Sequence, residues 1–343
     1  MLTSLRIECF RGLRDLSFEP LSQINVLTGF NNSGKTTVLE ALFLLFANPD
    51  QFKNYPGVFR SSQTDQAERY EHFWRWLLPG GDLEQEAKLH ANTDDKRKLG
   101  IVVKKNPQQR EMLTIQYLDS SRASVSWTVA PNGFGQFQAR TTWPRMEFFS
   151  PHMSDPVLDA EQFNRLQLIG GGEEKLLELM RVVEPKLRKL RYAKITKQPL
   201  VYADIGLGSL IPTSQMGHAF GRMLTLYMEM LVTKAEILLI DEIENGLHYS
   251  VYEDVWKGIA ALAWSESIQM FVTTHSEECV NAAAKAAKRG DEHGFSRHRL
   301  QQFDGELIVN TSQEIFGATI PAKVDEIMRR SKTAAAIKED EGK

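Results

Sequence analysis

The chain has 343 residues, 42% hydrophobic and 25% charged, the balance of a soluble globular protein with ample core, either one large domain or a domain carrying a sizeable insertion. Its formal net charge of −3 gives no global attraction to nucleic acid, so any such contact must be a local patch. No apolar run approaches the roughly 20 residues that span a bilayer. Arg6, Glu8, Arg11 and Arg14 interrupt any apolar leader at the start, so no membrane contact is expected. Cys9 and Cys279, the two cysteines, offer neither a disulfide framework nor a thiolate cluster and fit a reducing cytoplasm.

Residues 2–10 alternate, with Leu5, Ile7 and Cys9 against Arg6, Glu8 and Phe10, and predict a half-buried strand. Arg11-Gly12-Leu13 turns the chain, and residues 15–19 return as the next strand. Residues 23–28 form a buried strand that feeds Gly29-Phe30-Asn31-Asn32-Ser33-Gly34-Lys35-Thr36-Thr37, and the apolar run after it predicts a helix. Strand, G-x-x-x-x-G-K-T and helix in that order make a P-loop. Its glycines let backbone N–H groups turn inward around a polyphosphate, helped by the positive end of the helix dipole. Gly29, Asn31, Asn32, Ser33, Gly34, Lys35, Thr36 and Thr37 are therefore the candidate nucleotide contacts. Lys35 is placed to neutralise β- and γ-phosphate oxygens and the Thr36 hydroxyl to hold Mg²⁺, so ATP and Mg²⁺ are the expected cofactors.

Residues 48–66, with Pro49, Asn54, Pro56 and Gly57, predict a long loop, and residues 66–78 a helix ended by Pro79-Gly80-Gly81. From about 84 to 147 the texture turns to short β-prone runs at 99–103, 113–118, 123–129 and 145–149. These predict an antiparallel sheet, an insertion or one wing of the main domain. Helices are expected over 155–169 and 173–183, then a β-prone stretch over 190–205. A helix over 214–231, a strand over 236–240, a helix over 250–263, a strand over 268–273, a helix over 277–288 and a hairpin around Asp304-Gly305 follow. The β/α alternation after 214 implies a parallel sheet continuous with the P-loop strand. The expected architecture is one α/β domain over 1–330. It has a mixed central sheet, an N-terminal antiparallel β wing, a nucleotide-binding core from 1–47 and 150–320, and a β-rich, partly helical insertion over 48–149. Residues 331–343 read as a disordered tail.

The run Ile237–Ile240 ends in Asp241-Glu242, a buried parallel strand with carboxylates at the edge where open α/β sheets place ligands. Alone, such a run is also a common solvated strand end. Coupled to the P-loop about 200 residues upstream, it assigns Asp241 to Mg²⁺ and Glu242 to orienting and deprotonating the attacking water. Thr273-Thr274-His275-Ser276 ends the next strand. His275 there either reaches a γ-phosphate and reports its loss or is a satisfied polar strand end.

These strings, with Leu5–Leu13, resemble the ABC-type ATPase fold as used by the RecF/SMC group. They look closest to the ATPase domains of the overcoming-lysogenization-defect (OLD) nucleases and their stand-alone AAA-like relatives, particularly through Asp241–His248 and Thr273–Ser276. The resemblance implies a P-loop NTPase of ABC type, ATP hydrolysis assisted by Lys35, Glu242 and His275, and a D-loop at Asn245 and Gly246. It also implies a head-to-tail homodimer or higher homo-oligomer, in which a signature segment containing Ser214 and Gly217 grips the partner's γ-phosphate. Ala219 stands where a second glycine is common, which weakens that grip. The plainer reading of the segment is a helix start capped by Ser214. The Mg²⁺-sensing glutamine loop finds no match; the region Phe149–His152 lacks a glutamine. No Toprim-like nuclease module is expected after the ATPase, so any nuclease or toxin activity is expected either to lie on a separate effector protein, in antiviral defence, or to be absent. The alternatives are an ATP-holding scaffold with little turnover and a DNA repair ATPase of RecF type.

Lys186, Arg188, Lys189, Arg191, Lys194 and Lys197 fall within twelve residues that contain no acid. The patch, Lys186, Arg188, Lys189 and Arg191 above all, fits a DNA backbone. It fits equally a solvated surface balancing Glu173, Glu174 and Glu178. Lys96-Arg97-Lys98 with Lys104-Lys105 carries the same two readings.

Overall fold

The computed structural model describes residues 1–59, 73–107, 112–120, 122–130, 133–134, 144–150, 155–195, 197–289, 292–303 and 306–313. Leu2–Phe10 (β1) and Leu13–Phe18 (β2) pair antiparallel. Burial alternates as expected at Leu5 and Ile7, but Cys9, at φ 54°, breaks the period, so that Phe10 rather than Cys9 is buried. Ile24–Gly29 (β3) is buried along nearly its whole length and leads to the helix Lys35–Phe46 (α1), buried from Val38 onward.

The loop expected after α1 is instead a helix, Pro49–Phe59 (α2). Pro49 stands at the first helical position, where no N–H is required, and Asn48 Oδ1 accepts the N–H groups of Asp50 and Gln51. Tyr55 stacks on Phe43 and Phe52 packs on Trp74, and this aromatic burial outweighs Pro56 and Gly57 as breakers. Of the helix expected over 66–78, the part before 73 lies outside the described residues, and Trp74–Leu77 forms a single 3-10 turn.

Ala87–Thr93 (β4), Lys98–Lys105 (β5), Leu113–Asp119 (β6), Arg122–Ala130 (β7) and Gly133–Phe134 (β8) extend the pair β1/β2. Wing and inserted segment thereby form one seven-stranded antiparallel sheet, ordered β2-β1-β4-β5-β6-β7-β8. β4 escaped the sequence pattern because two of its inward positions, Ala87 and Ala91, are only weakly apolar, leaving Leu89 as the single strong signal among them. Met146–Phe149 (β9), expected with this antiparallel set, belongs elsewhere: it pairs in parallel with Ile237–Ile240 at the edge of the central sheet.

Pro156–Leu166 (α3) and Gly172–Met180 (α4) precede the ladder Lys189–Ala193 (β10), Leu200–Asp204 (β11) and Ile211–Pro212 (β12). The helix expected from 214 starts later, at His218–Val232 (α5). Gly217 at φ 88° and ψ 158° is its N-cap, and Ser214 sits in the 3-10 turn Thr213–Gln215 rather than capping it. Then come Ile237–Ile240 (β13), Tyr252–Ser265 (α6), Gln269–Thr273 (β14) and Glu277–Ala286 (α7). A short ladder, Lys288–Arg289 (β15) with Glu292–His293 (β16), leads to the hairpin Phe295–Phe303 (β17) and Glu306–Ser312 (β18). The central sheet is ordered β18-β17-β3-β14-β13-β9, parallel throughout except for β18, so the sheet is mixed as expected. The tail expected over 331–343 lies outside the described residues.

Both faces of this sheet are covered. Ile237 and Leu239 of β13 join α1, α2 and the wing in one core, while Leu238 and Ile240 join α3 to α7 in the other. Gln269 ties wing to sheet: its amide accepts the Leu2 N–H at 2.7 Å and donates to Leu2 O at 2.8 Å. Among the described residues no helix is long and apolar enough to cross a membrane.

One buried group sets a pH dependence. Glu229 on α5 accepts from Gln162 Nε2 of α3 at 3.3 Å, and its other oxygen is buried without a hydrogen-bond partner. Burial first, then the charges of Glu147 and Asp159, push Glu229 up to about 7, while Arg165 opposes them. The folded state thus binds a proton that the unfolded chain releases near 4.5, so its contribution to stability is greatest below that pH and falls as pH rises to about 7. Glu229→Gln is expected to be more stable than wild type at pH 8 by on the order of 2 kcal/mol, the gain fading toward about pH 5. Urea midpoints at the two pH values check this; an equal gain at both would contradict it.

Candidate functional site

Parallel pairing fixes which strand tips lie side by side. The register Leu27↔Thr273, Ile240↔Val272 and Gly29↔Leu300 brings the ends of β3, β14, β13 and β17 together at one edge. Four segments far apart in sequence meet there.

The P-loop folds as its glycines require. Gly29 has φ 146°, and a Cβ there would lie 2.4 Å from Leu300 O, so no other residue fits without displacing backbone. Gly34 has φ 86° and presses on Leu13, where a Cβ would come within 2.8 Å of Cδ2. Asn32, at φ 60°, adopts the left-handed conformation that asparagine tolerates. Asn31 and Asn32 are exposed, and Ser33 and Thr37 are half-buried. Lys35 is 6% exposed, and its Nζ donates to Gly29 O at 3.0 Å and Phe30 O at 2.9 Å, closing the loop on its own lysine. Burial lowers its pKa, against the opposing pull of Asp241, Glu244 and Glu242.

Thr36 Oγ1, in the first turn of α1, donates to Asp241 Oδ2 at 3.1 Å, and Thr273 Oγ1 donates to Asp241 Oδ1. Thr273 in turn accepts the Glu242 N–H at 2.8 Å. Glu242 is held at φ 48°, a conformation that costs a non-glycine residue on the order of 1 kcal/mol or more. Arg222 holds it there, its Nη2 donating to the carbonyls of Asp241 and Glu242, both at 2.8 Å. Arg222 is 2% exposed, lies over the Phe149 ring at 5.0 Å and has its pKa lowered to about 10 by burial. Hydroxyl and carboxylate oxygens facing one another at the end of a P-loop are the hard donors that suit Mg²⁺.

His275 is exposed at the tip of β14, its backbone N–H donated to Glu244 Oε1 at 2.6 Å. It lines a cleft of about 450 Å³ with Gly29, Asn31, Ser276 and Arg299. Glu277, on the same wall, is paired with Arg297, which leaves Arg299 facing no acid among the cleft's lining residues.

Lys35, Thr36, Asp241, Glu242 and His275 are thus brought to one sheet edge. Ser214 and Gly217 make no hydrogen bond, among the described residues, to the P-loop or to Asp241. Both are exposed at the start of α5. Gly246, at φ 80°, packs on that start, where a Cβ would lie 2.5 Å from His218 Nδ1, and the neighbouring Asn245 N–H turns back to Glu242 O at 3.0 Å. Lys186, Arg188, Lys189 and Arg191 are all exposed, on β10 and the turn before it, while Leu187 and Leu190 point into the core. Tyr192 and Ile195 are exposed beside them, and Lys189 sits opposite Asp204. Sequence reasoning missed Arg222, Thr273, Glu244 and Arg299. Glu244, as the third acid of Asp241-Glu242-Ile243-Glu244, and Thr273, at the head of the string that ends β14, left a local signal; Arg222 and Arg299 left none.

A profile of the AAA ATPase domain family matches residues 1–134 and 160–280. The ATP/GTP phosphatase of Helicobacter pylori is 20% identical over 360 residues, spanning 91% of this chain and 95% of its own. The DNA replication and repair protein RecF of Nitrosococcus oceani is 46% identical over 44 residues, 13% of this chain and 12% of that protein. Among solved structures, an SMC head bound to the C-winged helix domain of ScpA shares the fold with a TM-score of 0.53 at 13% identity, over 91% of this chain and 98% of that one.

Removing the Thr273 hydroxyl leaves the Glu242 N–H without its acceptor and Asp241 short of a donor. Thr273→Val is expected to lower the unfolding free energy by about 2 kcal/mol, read from urea titration. A loss below about 0.5 kcal/mol would mean that the bridge does not hold these groups.

Proposed function

The chain belongs to the AAA ATPase domain family, and from that premise we propose that its strand-tip site uses Mg²⁺-bound ATP to pair two copies and so regulate a separately encoded effector. The chain is a P-loop ATPase of the ABC and SMC-head fold. The observation that carries the reading is the meeting of Thr36, Asp241, Thr273 and Glu242 through hydrogen bonds at the mouth of the P-loop.

In this reading, the loop N–H groups and the start of α1 bind the β- and γ-phosphates, and Lys35 exchanges its two carbonyl contacts for phosphate oxygens. Thr36 and Asp241 would hold Mg²⁺, which supplies charge neutralisation of the phosphates when bound. Glu242, aimed by its left-handed backbone, orients the attacking water and takes its proton. His275, which lines the cleft with Gly29 and Asn31 of the P-loop, contacts the terminal phosphate.

Pairing is supported by the exposure of Ser214 and Gly217. The start of α5 faces solvent, free to meet the phosphate held by a second copy. The resemblance carried by Asp241–His248 favours a nuclease or toxin as the effector, in antiviral defence. Glu242→Gln is expected to lower kcat for ATP at least about 100-fold while retaining ATP binding, and Lys35→Ala to lose binding. Phosphate release and equilibrium binding, with ATP and GTP in parallel because the Helicobacter pylori relative is described for both, check this. Unchanged turnover in Glu242→Gln would remove Glu242 as the base.

The exposed basic hairpin favours a second reading, in which the ATPase works on DNA in the manner of a repair protein. Binding to duplex DNA should then weaken steeply between 50 and 200 mM salt, by roughly tenfold or more, and charge reversal of Lys189 and Arg191 should flatten that slope. Absent or salt-insensitive binding would exclude it.

A further inference from the structure

Three carboxylates follow β13, and the third has no place in the chemistry above. Glu244 is half-buried; Oε1 accepts the His275 N–H at 2.6 Å, and Oε2 is buried without a hydrogen-bond partner. Arg222, 2% exposed, shows the complementary deficit. Its Nη2 serves the carbonyls of Asp241 and Glu242, while Nε and Nη1 are buried donors with no partner. Glu244 is among the acids whose field acts on Arg222.

Each link has a distinct geometry. Arg222 grips the backbone of the loop that carries Asp241 and Glu242. Glu244, two residues further along that loop, grips the backbone of the next strand's tip at His275. A charge-assisted bond to a backbone N–H, as at 2.6 Å here, is among the stronger hydrogen bonds available to a loop. His275 is exposed two residues beyond the end of β14, between Thr274, whose N–H is donated to Leu27 O at 3.1 Å, and Ser276, whose N–H is donated to Thr274 Oγ1. The Ile243 N–H reaches Thr273 O at 3.2 Å, and the bond to Glu244 adds a direct link at His275 itself.

We propose that Glu244 is a positioning residue that fixes His275 against the Asp241–Glu242 loop through its bond to the His275 N–H. Loss of the terminal phosphate contact at His275 is thereby transmitted to the loop that aims the base, and the reverse. The proposal rests on the reading of His275 as a terminal-phosphate contact. Glutamine at 244 keeps an acceptor for the His275 N–H and gives up the charge, whereas alanine removes both.

The test is steady-state ATP turnover with equilibrium ATP binding for Glu244→Ala, Glu244→Gln, His275→Ala and the double variant Glu244→Ala/His275→Ala, each confirmed as folded by circular dichroism. Expected are a fall in kcat of about tenfold or more in Glu244→Ala with ATP affinity within about threefold of wild type, recovery of most of that loss in Glu244→Gln, and a double variant no slower than the slower single. Wild-type turnover in Glu244→Ala beside a slow His275→Ala would overturn the role of Glu244 and leave the site reading standing. Additive losses in the double variant would also overturn it. Wild-type turnover in His275→Ala would overturn the site reading itself. Should Glu244→Ala fail to fold, the Gln variant decides: it must stay within about threefold of wild-type kcat, and a tenfold loss there rejects the hydrogen bond as the link.

Discussion

The carboxylate of Asp241 is the point at which separate stretches of this chain are made to agree. It is 8% exposed, too deep for a charge to rest on water, so its oxygens must find donors in the protein. They find Thr36 at the start of the P-loop helix and Thr273 at the end of the neighbouring strand. Its backbone carbonyl takes Arg222 from the helix that begins at Gly217. Each donor belongs to a different element, and each can reach Asp241 only if the parallel register of β3, β14 and β13 is correct. A slip of one residue in any of them would turn a strand face over and leave a buried acid unpaired.

The same economy explains the state of the P-loop. Lys35 is almost enclosed, yet its ammonium is bound by two carbonyls of its own loop rather than by any of the three acids nearby. Burial disfavours its charge, those acids offset that only in part, and among the described residues none of them forms an ion pair with it. A cation in that condition gains most from an anion that brings its own charge into the loop. Exchange of two carbonyl dipoles for phosphate oxygens requires no rearrangement of the strands, which keeps the loop preorganised.

What could be read from the sequence follows from how each group is positioned. The P-loop, Asp241-Glu242 and Thr273–Ser276 are contiguous strings at strand ends, where local chemistry dictates residue type, and they lie together as expected. Arg222 reads in the sequence as one charged residue within an amphipathic helix. Its burial under the Asp241–Glu242 loop comes from the packing of α5, which no periodicity reveals. Thr273 belongs to a quoted string, but its hydroxyl bridge depends on the pairing of β13 with β14. The helix Pro49–Phe59 was hidden because proline and glycine count as breakers locally, whereas Phe52 and Tyr55 are judged by the aromatic core they fill. β9, four residues long, carries too short a pattern to distinguish a parallel edge from an antiparallel one. The late start of α5 turns on the φ of Gly217, a conformation that sequence permits without requiring.

That late start gives α5 two roles in one rigid body. Its first N–H groups, after Gly217, face solvent at the position from which the proposed pairing reaches another copy's phosphate. One turn further in, Arg222 holds the peptide groups that aim this copy's own Asp241 and Glu242. A helix transmits displacement along its axis with little loss, because its hydrogen bonds are local and its side chains are packed on α3, α4 and α6. Gly246 closes the circuit, pressed on His218 at the helix start and tied through the Asn245 turn to Glu242. In the proposed pair, a phosphate arriving at the outer end of α5 would therefore act on the inner end through Arg222 and the 241–246 loop, so that hydrolysis in one copy answers to nucleotide in the other. The strain at Glu242 fits that arrangement. A residue held at φ 48° by Arg222 bonds to its own and the preceding carbonyl and by its N–H on Thr273 is sensitive to small shifts of either, and the proposed base, aimed in this way, can be disengaged without unfolding anything.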